Sequence, residues 1–218
     1  MNLSKVTLPK YTRTEEILNA ASHGAGILIG IIAFILCISK STQINALAGN
    51  LIFSISAIIL YTCSTLYHSV TNTTTKKVMR LIDHSSIFIL ITGTSTAMTV
   101  ICVLPHNAVF AIIVSSISIA LSILGVALTV IDQEKYGKIQ QILYVTVGFV
   151  AIALAYPIFK YCDNALTILL IEAAGGIIYL IGMAFYKLGK KKIYFHSIFH
   201  FFVLAGTITH LIGIYIAI

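Results

Sequence analysis

The sequence has few charged residues, and this scarcity excludes an ordinary soluble domain. Only 10% of its 218 residues are charged, whereas 58% are hydrophobic and the mean hydropathy is +0.99. Soluble globular domains carry about 25% charged residues. The chain also lacks internal repeats, low-complexity tracts and interdomain linkers. We therefore expect one integral membrane domain over residues 1–218.

Long apolar runs dominate the chain, and apolar–polar alternation is absent. A run of roughly 20 apolar residues crosses a bilayer core of about 30 Å as a helix. Helices also satisfy their own backbone hydrogen bonds in lipid, so the sequence predicts an all-α bundle. The fifth run is the least distinct, being short and followed by "YPIFKYCDN". Seven spans are predicted, at about 17–39, 45–69, 78–102, 107–131, 139–156, 164–186 and 193–217.

The basic residues fall mainly on one side of these spans. Twelve of the fourteen lie in the N-terminal segment and the even-numbered links, and only Lys40 and Lys160 lie on the other side. The positive-inside rule then predicts a cytoplasmic N-terminus and an external C-terminus. The expected location is the plasma membrane. The twelve are Lys5, Lys10, Arg13, Lys76, Lys77, Arg80, Lys135, Lys138, Lys187, Lys190, Lys191 and Lys192.

The net charge of +7 follows from this bias and from attraction to anionic headgroups, so no nucleic-acid partner is predicted. The first sixteen residues lack the apolar core of a cleavable signal, and we expect the first span to be its own anchor. The oligomeric state stays open. The four cysteines show no paired metal-ligand spacing, which leaves open single buried thiols or a disulfide among Cys37, Cys102 and Cys162.

Polar side chains inside the spans concentrate at one depth. Charged residues in a span cost about 2.5–3.5 kcal/mol each on insertion scales, so they usually face a protein interior or a cavity. With the predicted topology, these residues all lie at the cytoplasmic ends of their helices. They are Glu16, Asn19, His23, His68, Asp83, His84, His196 and His200.

The spacing of three histidines predicts a metal site. His196 and His200 are one helical turn apart, so both rings can reach one ion, and His68 adds a nitrogen from another helix. Three histidines and a water form the usual catalytic zinc site. Asp83, at the same depth, could bind that water or the ion itself. The alternative is that these are hydrogen-bonded packing histidines.

Four further residues are candidates for supporting roles. Ser64 precedes His68 by one turn and could orient it or stabilise an oxyanion, or simply bond to its own i−4 carbonyl. Glu16, Asn19 and His23 share one helix face. Glu16 and Asn19 support the site or favour the helix N-terminus through its macrodipole. His23 is either a supporting residue or an alternative ligand.

Other polar residues are expected outside this site. His84 faces away from Asp83, towards an interface or the headgroups. His210 lies about 15 Å deeper than His200, so it is a buried hydrogen-bonding residue or part of a polar path. Glu172 falls in the outer half of its span, away from the site. Tyr67 and Tyr194 fit the interfacial aromatic belt.

Five segments together resemble the hemolysin III proteins, which are the bacterial branch of the progestin and adipoQ receptor family. The likeness covers nearly the whole chain, in order and with seven spans. The shared pattern of serine, three residues and histidine, then aspartate, then histidine, three residues and histidine is complete. The segments are "EEILNAASHGAG", "STLYHS", "RLIDHSSIFILITGT", "GGIIYLIGMAFY" and "HSIFHFFVLAGTITH".

The resemblance implies that His68, His196 and His200 bind zinc and that Asp83 contacts the ion through water. It also implies a zinc site on the cytoplasmic side, as in adiponectin receptors, and a relationship to alkaline ceramidases. The leading hypothesis is a zinc-dependent lipid amidase or esterase with Asp83 and Ser64 as catalytic groups. The alternatives are a zinc-stabilised membrane sensor and a membrane-permeabilising cytolysin.

Overall fold

The fold is entirely helical in a computed structural model that describes residues 3–189 and 192–218, apart from the Cys37 side chain. Lys190 and Lys191, which belong to the sixth predicted link, lie outside the described residues. A π-helical turn, Thr99–Val103, extends α3, and 3-10 turns cover Leu3–Lys5 and Ala151–Leu154. The helices are α1 (Arg13–Lys40), α2 (Ile44–Ser69), α3 (Thr73–Met98), α4 (Ala108–Val150), α5 (Ala155–Tyr161), α6 (Ala165–Leu188) and α7 (Phe195–Ala217).

Six stretches of the described residues are long and apolar enough to cross a membrane. Five of them correspond to predicted spans, with bounds that differ by a few residues. The sixth, Ala108–Tyr161, contains the fourth and fifth predicted spans together. A multi-pass helical membrane protein is therefore supported.

The stretch Ala108–Tyr161 folds back on itself at Asp132, whose backbone is non-helical (φ −164°, ψ 90°). Gly125, before this bend, lies directly against the Phe88 ring. Tyr144, after it, contacts the same ring with 4.3 Å between centroids. In a straight helix Gly125 and Tyr144 would be about 28 Å apart. Both can touch Phe88 only if the chain reverses between them.

The helix after this bend continues further than predicted. The sequence places the end of the fifth span near residue 156, before "PIFKYCDN", but a 3-10 turn leads into α5, which ends at Tyr161. Pro157 is the third residue of α5. Proline is tolerated in a first turn because the amide it lacks would have no helical acceptor there.

Helix α3 lies at the centre of the bundle. In the most apolar 18-residue stretch of Thr73–Val103, 67% of the residues are buried, whereas 17% are buried in the corresponding stretch of α6. Phe88 of α3 and Phe53 and Tyr61 of α2 are fully buried. Large aliphatic side chains such as Val109 and Ile123 are about two-thirds exposed on the outer surface, as expected for residues that face lipid.

A substitution at Gly125 tests this packing, because a Cβ there would overlap the buried Phe88 ring. We expect Gly125→Ala to lower the free energy of unfolding by about 1–3 kcal/mol, since an overpacked core must shift. The matched control is Gly148→Ala in the helical segment after the Asp132 bend, where a Cβ meets nothing within 4 Å. Unfolding of the purified proteins in a denaturing detergent measures both. Equal stability of the two variants would contradict the packing of α4 against α3.

Candidate metal centre

Three buried histidines meet at one end of the bundle. His68 is the penultimate residue of α2, and His196 and His200 lie in the first two turns of α7. Each offers a ligand atom, and the three atoms lie within 4.8 Å of one another. The three residues are 1–5% exposed. We call His68, His196 and His200 the histidine cluster and this end of the molecule the histidine end.

The ring nitrogens of the cluster are better placed to bind a cation than to form hydrogen bonds with one another. His196 Nε2 and His200 Nε2 face each other at 3.1 Å. His68 Nε2 is buried and has no hydrogen-bond partner among the described residues. Buried polar atoms are normally partnered, and three converging imidazoles can hold zinc or a similar transition metal with one position open. The donor set therefore fits a metal ion.

Glu16 binds the ring nitrogen of His68 that faces away from the cluster. Its Oε2 lies 2.6 Å from His68 Nδ1, and its Oε1 lies 2.8 Å from the Lys76 ammonium group. This contact turns His68 Nε2 towards the cluster. A carboxylate on the non-ligating nitrogen of a histidine fixes the tautomer and ring orientation in metal sites. Glu16 is also in the first turn of α1, so the macrodipole interaction is compatible with this position.

Asn19 and Ser22 connect α1 to the cluster. The Ser197 hydroxyl donates to Asn19 Oδ1 at 2.6 Å, which ties α1 to α7. Asn19 Nδ2 lies 3.5 Å from His68 Nδ1, and Ser22 Oγ lies 3.5 Å from His200 Nδ1. Asn19 is fully buried. These contacts keep both rings at fixed angles.

His23 lies beside the cluster. Its ring stacks on His200 with 3.7 Å between centroids and meets Tyr61 edge-on at 5.1 Å. The group of ligand atoms found in the described part of the chain contains the other three histidines but not His23. Both ring nitrogens of His23 are buried without a hydrogen-bond partner in that part. Its position suits support of His200 better than direct ligation.

Ser64 and Asp83 pair with each other across α2 and α3. The Ser64 hydroxyl is within hydrogen-bonding reach of the Asp83 carboxylate, which also interacts electrostatically with His68. The Asp83 side chain is 13% exposed. Asp83 does not belong to the group of ligand atoms found among the described residues. It lies next to the cluster, where it could bind a water.

Two residues differ from the sequence interpretation because their helices rotate them inward. Tyr67, assigned to the interfacial belt, is 1% exposed. His84, assigned to an interface or the headgroups, is buried with Nε2 3.2 Å from the Tyr186 hydroxyl. Both line a cavity of about 50 Å³ beside His196, together with Tyr11, Arg80 and Tyr186. The depth of these residues was predictable, but the direction of their side chains was not.

The N-terminal segment, residues 3–12, covers the histidine end. Lys5 pairs with Asp132 at 3.0 Å, and Arg80 donates to the Thr7 carbonyl at 2.6 Å. Tyr11 stacks on His196 with 4.8 Å between ring centroids. Burial raises the pKa of the Tyr11 phenol well above its usual range, so the ring stays neutral. No sequence pattern identified Tyr11, because the position of a polar terminal segment depends on tertiary contacts.

Glu16→Gln tests the orientation of His68. The amide cannot accept a charge-assisted bond from His68, so we expect metal affinity to fall about 10–100-fold. Competition with a chromogenic chelator measures this affinity in the purified protein. Asp163→Asn, an exposed site outside the cluster, is the control and should bind metal like the wild type. Unchanged affinity in Glu16→Gln would show that Glu16 does not orient the ligand.

Comparison with known proteins agrees with the resemblance. The family model described as haemolysin-III related matches residues 11–211. The chain is 33% identical over 200 residues to a protein named Hemolysin-3 homolog from Bacillus subtilis (strain 168), with 90% of this chain and 91% of that protein covered. It is 31% identical over 198 residues to Hemolysin-3 from Bacillus cereus, with 88% and 87% covered. The chain thus belongs to the haemolysin-III-related family.

Proposed function

We propose that this protein is a zinc-dependent membrane hydrolase that cleaves an amide or ester bond in a membrane lipid and thereby affects lipid homeostasis. The observation that supports it is the buried histidine cluster, with Glu16 bonded to the outer nitrogen of His68 and a second carboxylate, Asp83, beside it. The proposal extends the family assignment to a relationship with the progestin and adipoQ receptors and the ceramidases.

His68, His196 and His200 would hold the ion. Three neutral imidazoles with a free coordination position are the donor set of many catalytic zinc sites, and imidazole ligands suit zinc. A bound zinc ion supplies a Lewis acid for a carbonyl oxygen and lowers the pKa of a water towards about 7. Glu16, Asn19 and Ser22 keep the ligand rings in place.

Asp83 is the proposed general base and acid. It would accept a proton from the water that attacks the substrate carbonyl carbon. When the carbon–nitrogen or carbon–oxygen bond breaks, Asp83 would return this proton to the leaving atom, so that a carboxylic acid and an amine or alcohol form. Ser64 lies against Asp83. Its hydroxyl would orient the carboxylate or donate to the oxyanion of the transition state.

The position of the cluster at one end of a lipid-facing bundle favours a lipid substrate. We place the histidine end on the cytoplasmic side of the plasma membrane. The chain would then have seven spans, because the helical segments before and after the Asp132 bend would each cross the membrane. In support, the basic residues Lys5, Lys77 and Arg80 lie at the histidine end, where their contacts tie the N-terminal segment down. Acyl chains would enter laterally between helices, and the carbonyl would meet the cluster at the headgroup level.

Seven spans require the two termini to lie on opposite sides of the membrane. We expect an N-terminal fluorescent-protein fusion to fluoresce in the cytoplasm and a C-terminal fusion to stay dark. A C-terminal alkaline phosphatase fusion should be active, because this enzyme needs the oxidising external compartment. As an internal control, the same two reporters are fused after residue 189, which this topology places in the cytoplasm. A fluorescent C-terminal fusion would rule out seven spans with this orientation.

Metal analysis and lipid hydrolysis on one set of variants test the function. Wild-type protein in lipid nanodiscs should contain zinc and release fatty acid from an N-acyl lipid or ester lipid, measured by mass spectrometry. His196→Ala should lose the metal and the activity. Asp83→Asn should keep the metal but lose about 10²–10⁴-fold in rate, as removal of a general base does. Asp163→Asn should retain both. Metal binding without any hydrolysis by the wild type would overturn the enzymatic proposal.

A non-catalytic role is the second candidate, because the cluster and Glu16 link α1, α2 and α7. In that case zinc removal should lower thermal stability in wild type and Asp83→Asn alike, with no turnover to lose. The names of the Bacillus relatives suggest a third role, cytolysis. Chelator-sensitive dye leakage from liposomes that contain the purified protein would support it.

A further inference from the structure

A second polar site lies in the half of the bundle away from the histidine cluster. Glu172 is on α6 and His210 is on α7, with 2.6 Å between Glu172 Oε2 and His210 Nδ1. Glu172 lies seven residues after the start of α6 and His210 seven residues before the end of α7, so the antiparallel helices place them at equal depth. The side chains are 18% and 9% exposed. Ionisable residues at such depth usually belong to ion or proton pathways.

Two glycines make room for this pair. A Cβ at Gly175 would lie 2.7 Å from His210 Nε2, and a Cβ at Gly213 would overlap Glu172 Oε1. Each glycine therefore lies directly opposite a polar atom of the pair on the neighbouring helix. Small residues let membrane helices approach closely, and here the space that they leave is filled by a carboxylate and an imidazole.

One oxygen of this pair lacks a donor. Glu172 Oε1 is buried and has no hydrogen-bond partner among residues 3–189 and 192–218. A buried acceptor of this kind is expected to bind a water, an ion or a proton. The described titratable side chains that interact with Glu172, besides His210, are Tyr179 of α6 and Cys102 of the π-helical turn. Both are weak acids, so neither supplies a permanent counter-charge.

A cavity opens at the end of the bundle opposite the histidine end. It has a volume of about 440 Å³, and we call it the vestibule. Cys102 lines the vestibule and also interacts electrostatically with Glu172. Ile168, one helical turn before Glu172 on α6, also lines the vestibule, so water there would lie about 6 Å along the helix axis from Glu172. Its polar lining includes Lys40, His106, Cys102, Cys162, Asp163 and Asn164.

Hydroxyl groups continue from the pair towards the histidine cluster. The Tyr179 ring packs against His210 with 5.2 Å between centroids, and its hydroxyl lies 2.9 Å from Thr207 Oγ1. Tyr61 donates to the same Thr207 oxygen at 2.6 Å and contacts His23, which stacks on His200. Polar groups therefore line the bundle interior from the Glu172–His210 pair to the cluster.

We propose that Glu172 and His210 form a proton-binding site that exchanges protons with the aqueous phase at the end of the bundle opposite the histidine cluster. A proton from hydronium in the vestibule would move to the Glu172 carboxylate and be shared with His210, and water would remain behind. A single proton shared by the carboxylate and the imidazole makes the pair neutral overall, which suits an apolar interior. This site does not depend on lipid hydrolysis.

Infrared difference spectroscopy of the protein in lipid nanodiscs tests the site. Acidification should produce a carboxylic-acid C=O band that shifts in D₂O. This band should disappear in Glu172→Gln and persist in Glu134→Gln, a matched change at an exposed carboxylate. His210→Gln should change the pH at which the band forms. Absence of any exchangeable band that depends on Glu172, in a folded protein, would overturn the proposal and leave the pair as a structural contact.

The access route is tested in the same samples. Ala217 also lines the vestibule, and Ala217→Trp should slow the exchange of the Glu172 band with D₂O because it fills this space. The control is Ala21→Trp, at an exposed position of α1 near the histidine end, which should leave the exchange rate unchanged. Exchange that is slowed by Ala21→Trp but not by Ala217→Trp would overturn access from the opposite end.

Discussion

The contact between Glu16 and His68 is the interaction on which the histidine cluster depends. It decides which nitrogen of His68 faces His196 and His200, and it joins the first turn of α1 to the last turn of α2. Lys76 binds the other carboxylate oxygen, so the negative charge is neutralised at the ends of these helices. An unpaired carboxylate there would be costly, and the salt-bridged arrangement makes it a fixed support.

The remaining polar groups of the site follow from the same need for partners in an apolar bundle. Asn19 pairs with Ser197, and Ser64 lies against Asp83. His68 Nε2 still lacks a partner among the described residues, and it lies where a ligand would bind. The central position of α3 brings Asp83 next to α2, so that a carboxylate and three imidazoles from three helices share one small region.

Much of this arrangement could be predicted from the sequence, because the length of an apolar run and the rise per residue of a helix determine how deep each residue lies in its span. The predicted depth brought His68, His196 and His200 together and separated them from His210. The same argument could have paired Glu172 with His210, whose positions in antiparallel spans are symmetric. Rotation about the helix axis was not predictable, which is why Tyr67 and His84 were assigned outward. The fifth span was predicted to end near "YPIFKYCDN", whereas α5 continues to Tyr161 with Pro157 in its first turn, where proline is tolerated.

The N-terminal segment has a consequence for which molecules can reach the cluster. Tyr11 lies over His196, and the segment is anchored at its other positions by Lys5, Thr7 and Arg80. A water-soluble compound approaching along the bundle axis would have to displace this segment, breaking the Lys5–Asp132 ion pair and the hydrogen bonds of Thr7 with Glu134 and Arg80. The cover therefore restricts access to the cluster from the water at this end of the bundle.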